Sequence, residues 1–194
     1  MTLLPEVVET ERLVLRLWRD DDVDALAVAI TESLDHLRPW MPWAGDEPLD
    51  RDRRLALFAG WRVSREAGGD AVYGIFRDGD VVGGTGLHHR RGPGVLEIGY
   101  WVHADHVRRG YATEVSGALT SVALALAEIE AVEIHHDRAN VASGGVPRSL
   151  GYTLVAETPK PVDAPGEMGI DCAWRITPSH VGGERRSSDR PQRP

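Results

Sequence analysis

The chain alternates between two hydrophobic rhythms. Apolar residues fall at every second position in "RLVLRLW" (12–18), "AVYGIF" (71–76), "VLEIGYWV" (95–102) and "DCAWRI" (171–176), the period of a half-buried strand. In "DVDALAVAITESL" (22–34) and "RRLALFAGWRV" (53–63) they recur at helical spacing, which predicts amphipathic helices. Asp20 to Asp22 supply N-capping chemistry for the first of these. A tryptophan-rich linker, "LRPWMPWAGDEP", separates the two helices. Asp78-Gly79-Asp80 reads as a hairpin turn between strands, and "GPG" (92–94) turns the chain into "VLEIGYWV". "YATEVSGALTSVALALAEI" (111–129) is small or apolar around most of its circumference and predicts a well-covered helix. "AVEIHH" is a short buried-type strand. Asn140 caps a helix through "VASGGVPRSL", Gly151 ends it, and "YTLVAET" and "MGIDCAWRIT" close the sheet. The order β-α-α-β-β-β-α-β-α-β-β predicts an α/β (α+β) domain over residues 1–177, a mixed sheet with helices on its faces. Residues 178–194 are Pro, Ser, Gly and Arg with little to bury, and are expected to form a disordered tail.

Composition narrows the function. With 42% apolar and 27% charged residues in 194, the chain suits one well-filled core. No apolar run reaches the roughly 18–20 residues of a membrane span, and "MTLLPEVVETERL" lacks a signal-peptide pattern, so the expectation is a cytoplasmic protein with no membrane partner. One cysteine, Cys172, rules out an internal disulfide framework and a cysteine-based zinc site. The net charge is −8; the tail has four Arg against Glu184 and Asp189, which leaves −10 on the rest. That balance argues against a nucleic-acid partner. Positive charge in an acidic chain is therefore informative where it clusters.

It clusters in "HADHVRRGYATEV" (103–115), at the joint between a strand and a helix. Such a joint presents unpaired N–H groups and the positive end of a helix dipole, a ready phosphate site. Gly110 allows close backbone approach, while Arg108 and Arg109 add charged donors. The ligand expected is a diphosphate. Other phosphate motifs are missing: His89 stands where "GGTGLHH" (83–89) would need its third glycine, and no G-x-x-x-x-G-K-[ST] occurs.

"EIGYWVHADHVRRGYATEV" together with "IHHDRANVASGGVPRSLGY" resembles the GNAT superfamily of acyl-CoA-dependent N-acyltransferases, in particular its ribosomal-protein N-terminal acetyltransferase branch. "LRPWMPW" is also typical of that branch. The resemblance implies a mostly antiparallel central sheet, splayed where acetyl-CoA binds. It implies that Val102 and His103 offer backbone groups to pantetheine, and that Arg108, Arg109, Gly110, Tyr111, Ala112 and Thr113 surround the diphosphate. Asn140 would hydrogen-bond the pantetheine arm, and Ser143 would protonate the departing thiolate. Val107 departs from the family's Gln or Arg, Arg108 stands where glycine is common, and Pro147 lies near the usual tyrosine acid. Pro147 and the glycines beside it weaken the helix after Asn140. These departures keep a non-catalytic CoA-binding sensor or scaffold as an alternative; succinyl-CoA or another acyl donor is a further one.

Direct transfer to a primary amine, in a protein N-terminus or a small molecule, needs a proton acceptor. Glu97 is the candidate base: a carboxylate within a central strand must be paired or used. Asp171 is a weaker one. Cys172 shares a strand face with Met168, Ile170, Trp174 and Ile176, which is core company rather than nucleophile company. His88-His89 and His135-His136 point to opposite faces in pairs, so no metal site is expected. Trp40, Trp43 and His88 are candidates for the acceptor pocket, and Trp61, with Leu57 and Phe58, for the core. The closing strands offer a surface on which a homodimer could form.

Overall fold

Alternation sorts the strand side chains onto two faces, and a pair of helices covers each. The computed structural model describes residues 3–178; the tail expected beyond that lies outside the described residues. The elements are β1 (Val7–Glu9), β2 (Val14–Leu17), α1 (Val23–Leu37), α2 (Arg51–Glu66), β3 (Ala71–Arg77), β4 (Asp80–His88), β5 (Val95–Val102), α3 (Tyr111–Leu124), β6 (Ala131–Asp137), α4 (Val141–Ser149), β7 (Thr153–Pro159) and β8 (Ile170–Ile176). They form one eight-stranded sheet in the order β1-β2-β3-β4-β5-β6-β8-β7. Every pairing is antiparallel except β5 with β6. The expected architecture is present, with β1 added at the edge.

On one face Val115, Leu119 and Ala123 of α3 pack with Leu15, Ile75, Leu96, Ile98, Val132 and Ile134 from the strands. On the other, Val23, Leu26 and Ile30 of α1 meet Phe58 of α2, Trp18 and Phe76. Trp18 stacks on Phe58 at 5.7 Å and Trp61 lies 5.5 Å from Phe58. Leu57, expected in the same cluster, is exposed, as is Met168, which precedes β8 instead of continuing its face.

Local chemistry differs from expectation at the start of α1. Asp20 to Asp22 form a 3₁₀ turn, and no side chain caps α1. Asp22 instead takes a bidentate Arg16 guanidinium at 2.6 and 2.7 Å and accepts the Arg19 N–H. Asp50 does cap α2, accepting from Arg53 N–H at 2.8 Å. Asn140 caps α4, accepting from Ser143 N–H at 3.1 Å. The weakened helix expected around Pro147 is nevertheless continuous to Ser149, with Pro147 buried.

A buried carboxylate ties β6 to the loop before β8. Asp137 accepts backbone N–H groups from Ala139, Met168, Gly169 and Ile170. Burial pushes its pKa upward, but these donors prevail and hold the carboxyl below the usual carboxylate range. A depressed folded-state value contributes stability above the unfolded value near 3.9, lost as pH falls through the folded value. Asp137→Ala is expected to lower unfolding stability at pH 7 by about 2–4 kcal/mol. In urea titrations the gap between variant and wild type should narrow below pH 4.

Candidate active site

The sheet opens where its one parallel pair ends. β5 and β6 are in register only for Val95, Leu96 and Glu97 against Ala131, Val132 and Glu133. Beyond Glu97 the strands part. His103 N–H donates to Val82 O at 2.9 Å, so by antiparallel alternation the backbone groups of Tyr100 and Val102 face the gap rather than β4. A cleft of about 830 Å³ runs through this fork, bordered by Tyr100, Asn140 and Ser143. Its other side carries His88, Trp40 and Trp43.

The joint after β5 has the backbone geometry its sequence suggested. Arg108 (φ 58°) and Gly110 (φ 80°) are both left-handed, which accounts for the glycine and strains the arginine. None of the N–H groups of residues 108–113 donates to a protein acceptor among the described residues. Unpaired amides at a helix start are the kind of group that binds an anion. Arg108 and Arg109 are exposed beside it, and Ala112 and Thr113 begin the helix.

Arg12, a residue that sequence reasoning passed over, straps this loop. Its guanidinium donates to Arg109 O at 3.0 Å and to Glu114 at 2.7 Å, and it lies 5.0 Å from the Tyr111 ring centre. The Tyr111 side chain is buried in the core, its hydroxyl bonded to Arg77 at 2.6 Å, so its backbone N–H is what it offers at the loop. The expectation for His103 needs correction: its N–H is committed to Val82, which leaves only its carbonyl, already accepting His106 N–H, to offer pantetheine. Its ring is packed against α1, 3.1 Å from Glu32.

At the fork a hydroxyl pair appears where one hydroxyl was expected. Pro147 has no N–H, so the Ser143 carbonyl lacks its helical donor; the Tyr100 hydroxyl donates to that carbonyl at 3.0 Å and lies 3.0 Å from Ser143 Oγ. Burial pushes the Tyr100 phenol up to about 12, so it is protonated at neutral pH. The tyrosine missing from α4 is thus matched by one from β5. The alternation of "EIGYWV" placed Tyr100 with Ile98 in the core and gave no signal of this.

The acceptor side is walled by rings. Trp43 is 38% exposed and meets Trp101 edge-on at 6.3 Å. Glycines make room: a Cβ on Gly84 would stand 2.5 Å from the Trp101 indole nitrogen, and one on Gly86 2.6 Å from His88 Nε2. That is why "GGTG" is glycine-rich without being a dinucleotide loop. Glu97 is buried and has the structural partner the sequence left open, Arg91. Further along the same face, His135 sits between Asp171 and Glu133, 2.8 Å from each. Burial disfavours the imidazolium, but these carboxylates raise its pKa above the ordinary value.

The sequence matches the acetyltransferase (GNAT) domain family over residues 12–153. A Bacillus subtilis (strain 168) protein, YdaF, provisionally named a ribosomal N-acetyltransferase, is 25% identical over 147 residues, covering 73% of this chain and 78% of its own. Among solved structures, the ribosomal L7/L12 α-N-protein acetyltransferase RimL in complex with CoA superposes with a TM-score of 0.79 at 18% identity, covering 91% of this chain and 98% of that one. The microcin C7 self-immunity acetyltransferase MccE, in complex with acetyl-CoA and AMP, gives 0.79 at 14% identity over 86% and 93%.

Cys172 is buried, and burial first, then Glu157, raises its thiol to about 11. Its thiolate fraction should be roughly 100-fold below that of an ordinary cysteine. Iodoacetamide at pH 7.5 is expected to label the native protein correspondingly slowly, and Cys172→Ala to retain full activity.

Proposed function

The chain belongs to the GNAT acetyltransferase family of acyl-CoA-dependent N-acetyltransferases, and from that premise we propose that acetyl-CoA is its donor and the α-amine of a peptide or protein its acceptor. The observation that carries the cofactor half is the run of unpaired amides at residues 108–113 beside the opened β5–β6 fork. The diphosphate lies over the start of α3, with Arg108 and Arg109 at its oxygens. The pantetheine arm then enters the fork along the backbone of Val102 and Tyr100, reached from the other side by the Asn140 side-chain amide. Acetyl-CoA as donor is supported by the family's chemistry and by the complex in which MccE was solved.

The acceptor half draws on two supports: YdaF is named as a ribosomal N-acetyltransferase and RimL as a ribosomal L7/L12 α-N-protein acetyltransferase, and the far side of the cleft is lined by Trp40, Trp43 and His88. An α-amine, with a pKa of about 7.7–8.0, is roughly a tenth neutral at pH 7, against under a thousandth for a lysine. Glu97 stands at the closed end of the fork. Arg91 holds one of its oxygens and Arg90 lies 3.8 Å from the other, so its carboxylate adds negative charge at the site the ammonium approaches. Trp40 and Trp43 cover the residue that follows the amine.

Transfer is direct. The neutral nitrogen attacks the thioester carbonyl, the carbonyl oxygen takes the charge, and the C–S bond breaks as the carbonyl re-forms. Backbone N–H groups at the end of β5 are placed to meet the oxyanion. With the Tyr100 proton on the Ser143 carbonyl, the Ser143 hydroxyl is the donor for the departing sulfur. The proton the sulfur keeps is the second one shed by the attacking nitrogen.

Thiol release from acetyl-CoA should require peptides with a free α-amine and should stop when that amine is blocked. CoA binding without acceptor-dependent release from any amine would contradict this reading. Ser143→Ala is expected to lower kcat roughly 10-fold or more, the worth of a hydrogen bond to a charged group, with little change in CoA affinity by calorimetry.

A further inference from the structure

We propose that His88, held by Asp70, is the base that takes the first proton from the acceptor amine. The proposal deepens the amine-acetylation reading above and rests on it. His88 is the last residue of β4 and lies directly across from Glu97 of β5. Its ring folds back along the strand onto the floor that Gly86 and Gly99 leave open; a Cβ on either would stand 2.6 or 3.5 Å from Nε2. The imidazole therefore borders the acceptor side of the cleft, the side also lined by Trp101 and Glu97.

The two ring nitrogens have separate duties. Nδ1 is 2.8 Å from Asp70 Oδ2. A carboxylate only accepts, so Nδ1 carries the hydrogen and Nε2 keeps its lone pair. Nε2 makes no hydrogen bond among the described residues. Asp70 is itself fixed: its other oxygen accepts from His89 N–H at 2.8 Å, and its own N–H donates to Ser64 Oγ at 3.1 Å. An oriented imidazole with a bare nitrogen toward a cleft is the arrangement of a general base, with the carboxylate as positioning residue.

The charged surroundings fit the task. Asp70 precedes β3, His89 and Arg90 follow β4, and Glu97 faces His88 from β5, carrying Arg91 with it. Burial, with Arg90 behind it, keeps the imidazole below its ordinary value against the pull of Asp70 and Glu97. His88 is thus neutral at pH 7 and able to accept. Once protonated, it stands between two carboxylates that stabilise the imidazolium. Glu97 is the poorer acceptor on geometry, because Arg91 already occupies one oxygen.

In the step, Nε2 takes a proton from the R–NH₃⁺ acceptor, giving R–NH₂ and imidazolium. The nitrogen lone pair forms the C–N bond and the C–S bond breaks. The sulfur leaves with its electron pair and receives the second nitrogen proton. His88 then returns its proton to water, so the net products are amide, CoA thiol and one proton.

The test uses the full chain with acetyl-CoA and the α-amino peptides above, reading kcat from pH 5.5 to 9.5 alongside CoA affinity by calorimetry. His88→Gln should lose roughly 100-fold in kcat at pH 7 while binding CoA within twofold of wild type. The deficit should shrink toward pH 9, where the amine loses its proton unaided, so the wild-type acidic limb set by His88 should give way to a rise that follows the amine's own titration. Asp70→Asn should lose roughly 10-fold and keep that limb, since His88 remains. If His88→Gln keeps wild-type kcat at every pH, the base assignment is wrong while the acetylation reading stands. If wild type acetylates no amine at any pH, the reading fails and takes the base with it.

Discussion

Everything at this site depends on two parallel strands that stay paired for only three positions. β5 and β6 separate after Glu97 and Glu133, and the backbone polar groups beyond that point have lost a neighbour. Such groups cannot be buried bare without a cost of a few kcal/mol. A pantetheine arm, with its own amides, is the kind of ligand that completes an interrupted ladder. The rest of the fold keeps the fork open. Pro147 denies the Ser143 carbonyl a helical partner, and the Tyr100 hydroxyl fills that place from the opposite strand. The same contact bridges the gap at its cleft-facing edge, so the opening has a fixed width and a hydroxyl pair at its wall.

The two faces of the sheet divide the work. On the side of α3, charge is concentrated at the helix start, where Arg12 and Glu114 hold the loop and its amides have no protein acceptor among the described residues. On the other side, glycines in β4 and β5 let the Trp101 and His88 rings lie flat on the sheet. In the reading proposed above, acceptor and donor approach one carbonyl from opposite faces through one fork. Catalysis then asks for orientation and for a place to put a proton, more than for an intrinsically reactive side chain. The buried, protonated Cys172 fits that division of labour.

The fold was legible because its signals are local. Alternation in "VLEIGYWV" and helical spacing in "YATEVSGALTSVAL" report one face each, and Asn140 caps α4 as its residue type suggests. β1 escaped notice because "VVE" is too short to show a period. The left-handed turn of the loop before α3 was legible too, since Gly110 sits at the joint between strand and helix. What sequence could not show are meetings between distant residues. Arg12 reaches Arg109 across the sheet, Asp70 finds His88, and Arg91 finds Glu97. The neighbourhood likewise decided Tyr111 and His103: the core claims the first side chain, and Val82 claims the N–H of the second.

The central claim is that the backbone amides of residues 108–113 and the fork-facing amides of Tyr100 and Val102 hold one acyl-CoA. Amide hydrogen exchange measured residue by residue, with and without saturating CoA, addresses it directly. The account predicts slowed exchange at these amides together, with little change at His103, whose N–H is already bonded. Unchanged exchange across residues 108–113 in protein demonstrably saturated with CoA would contradict it.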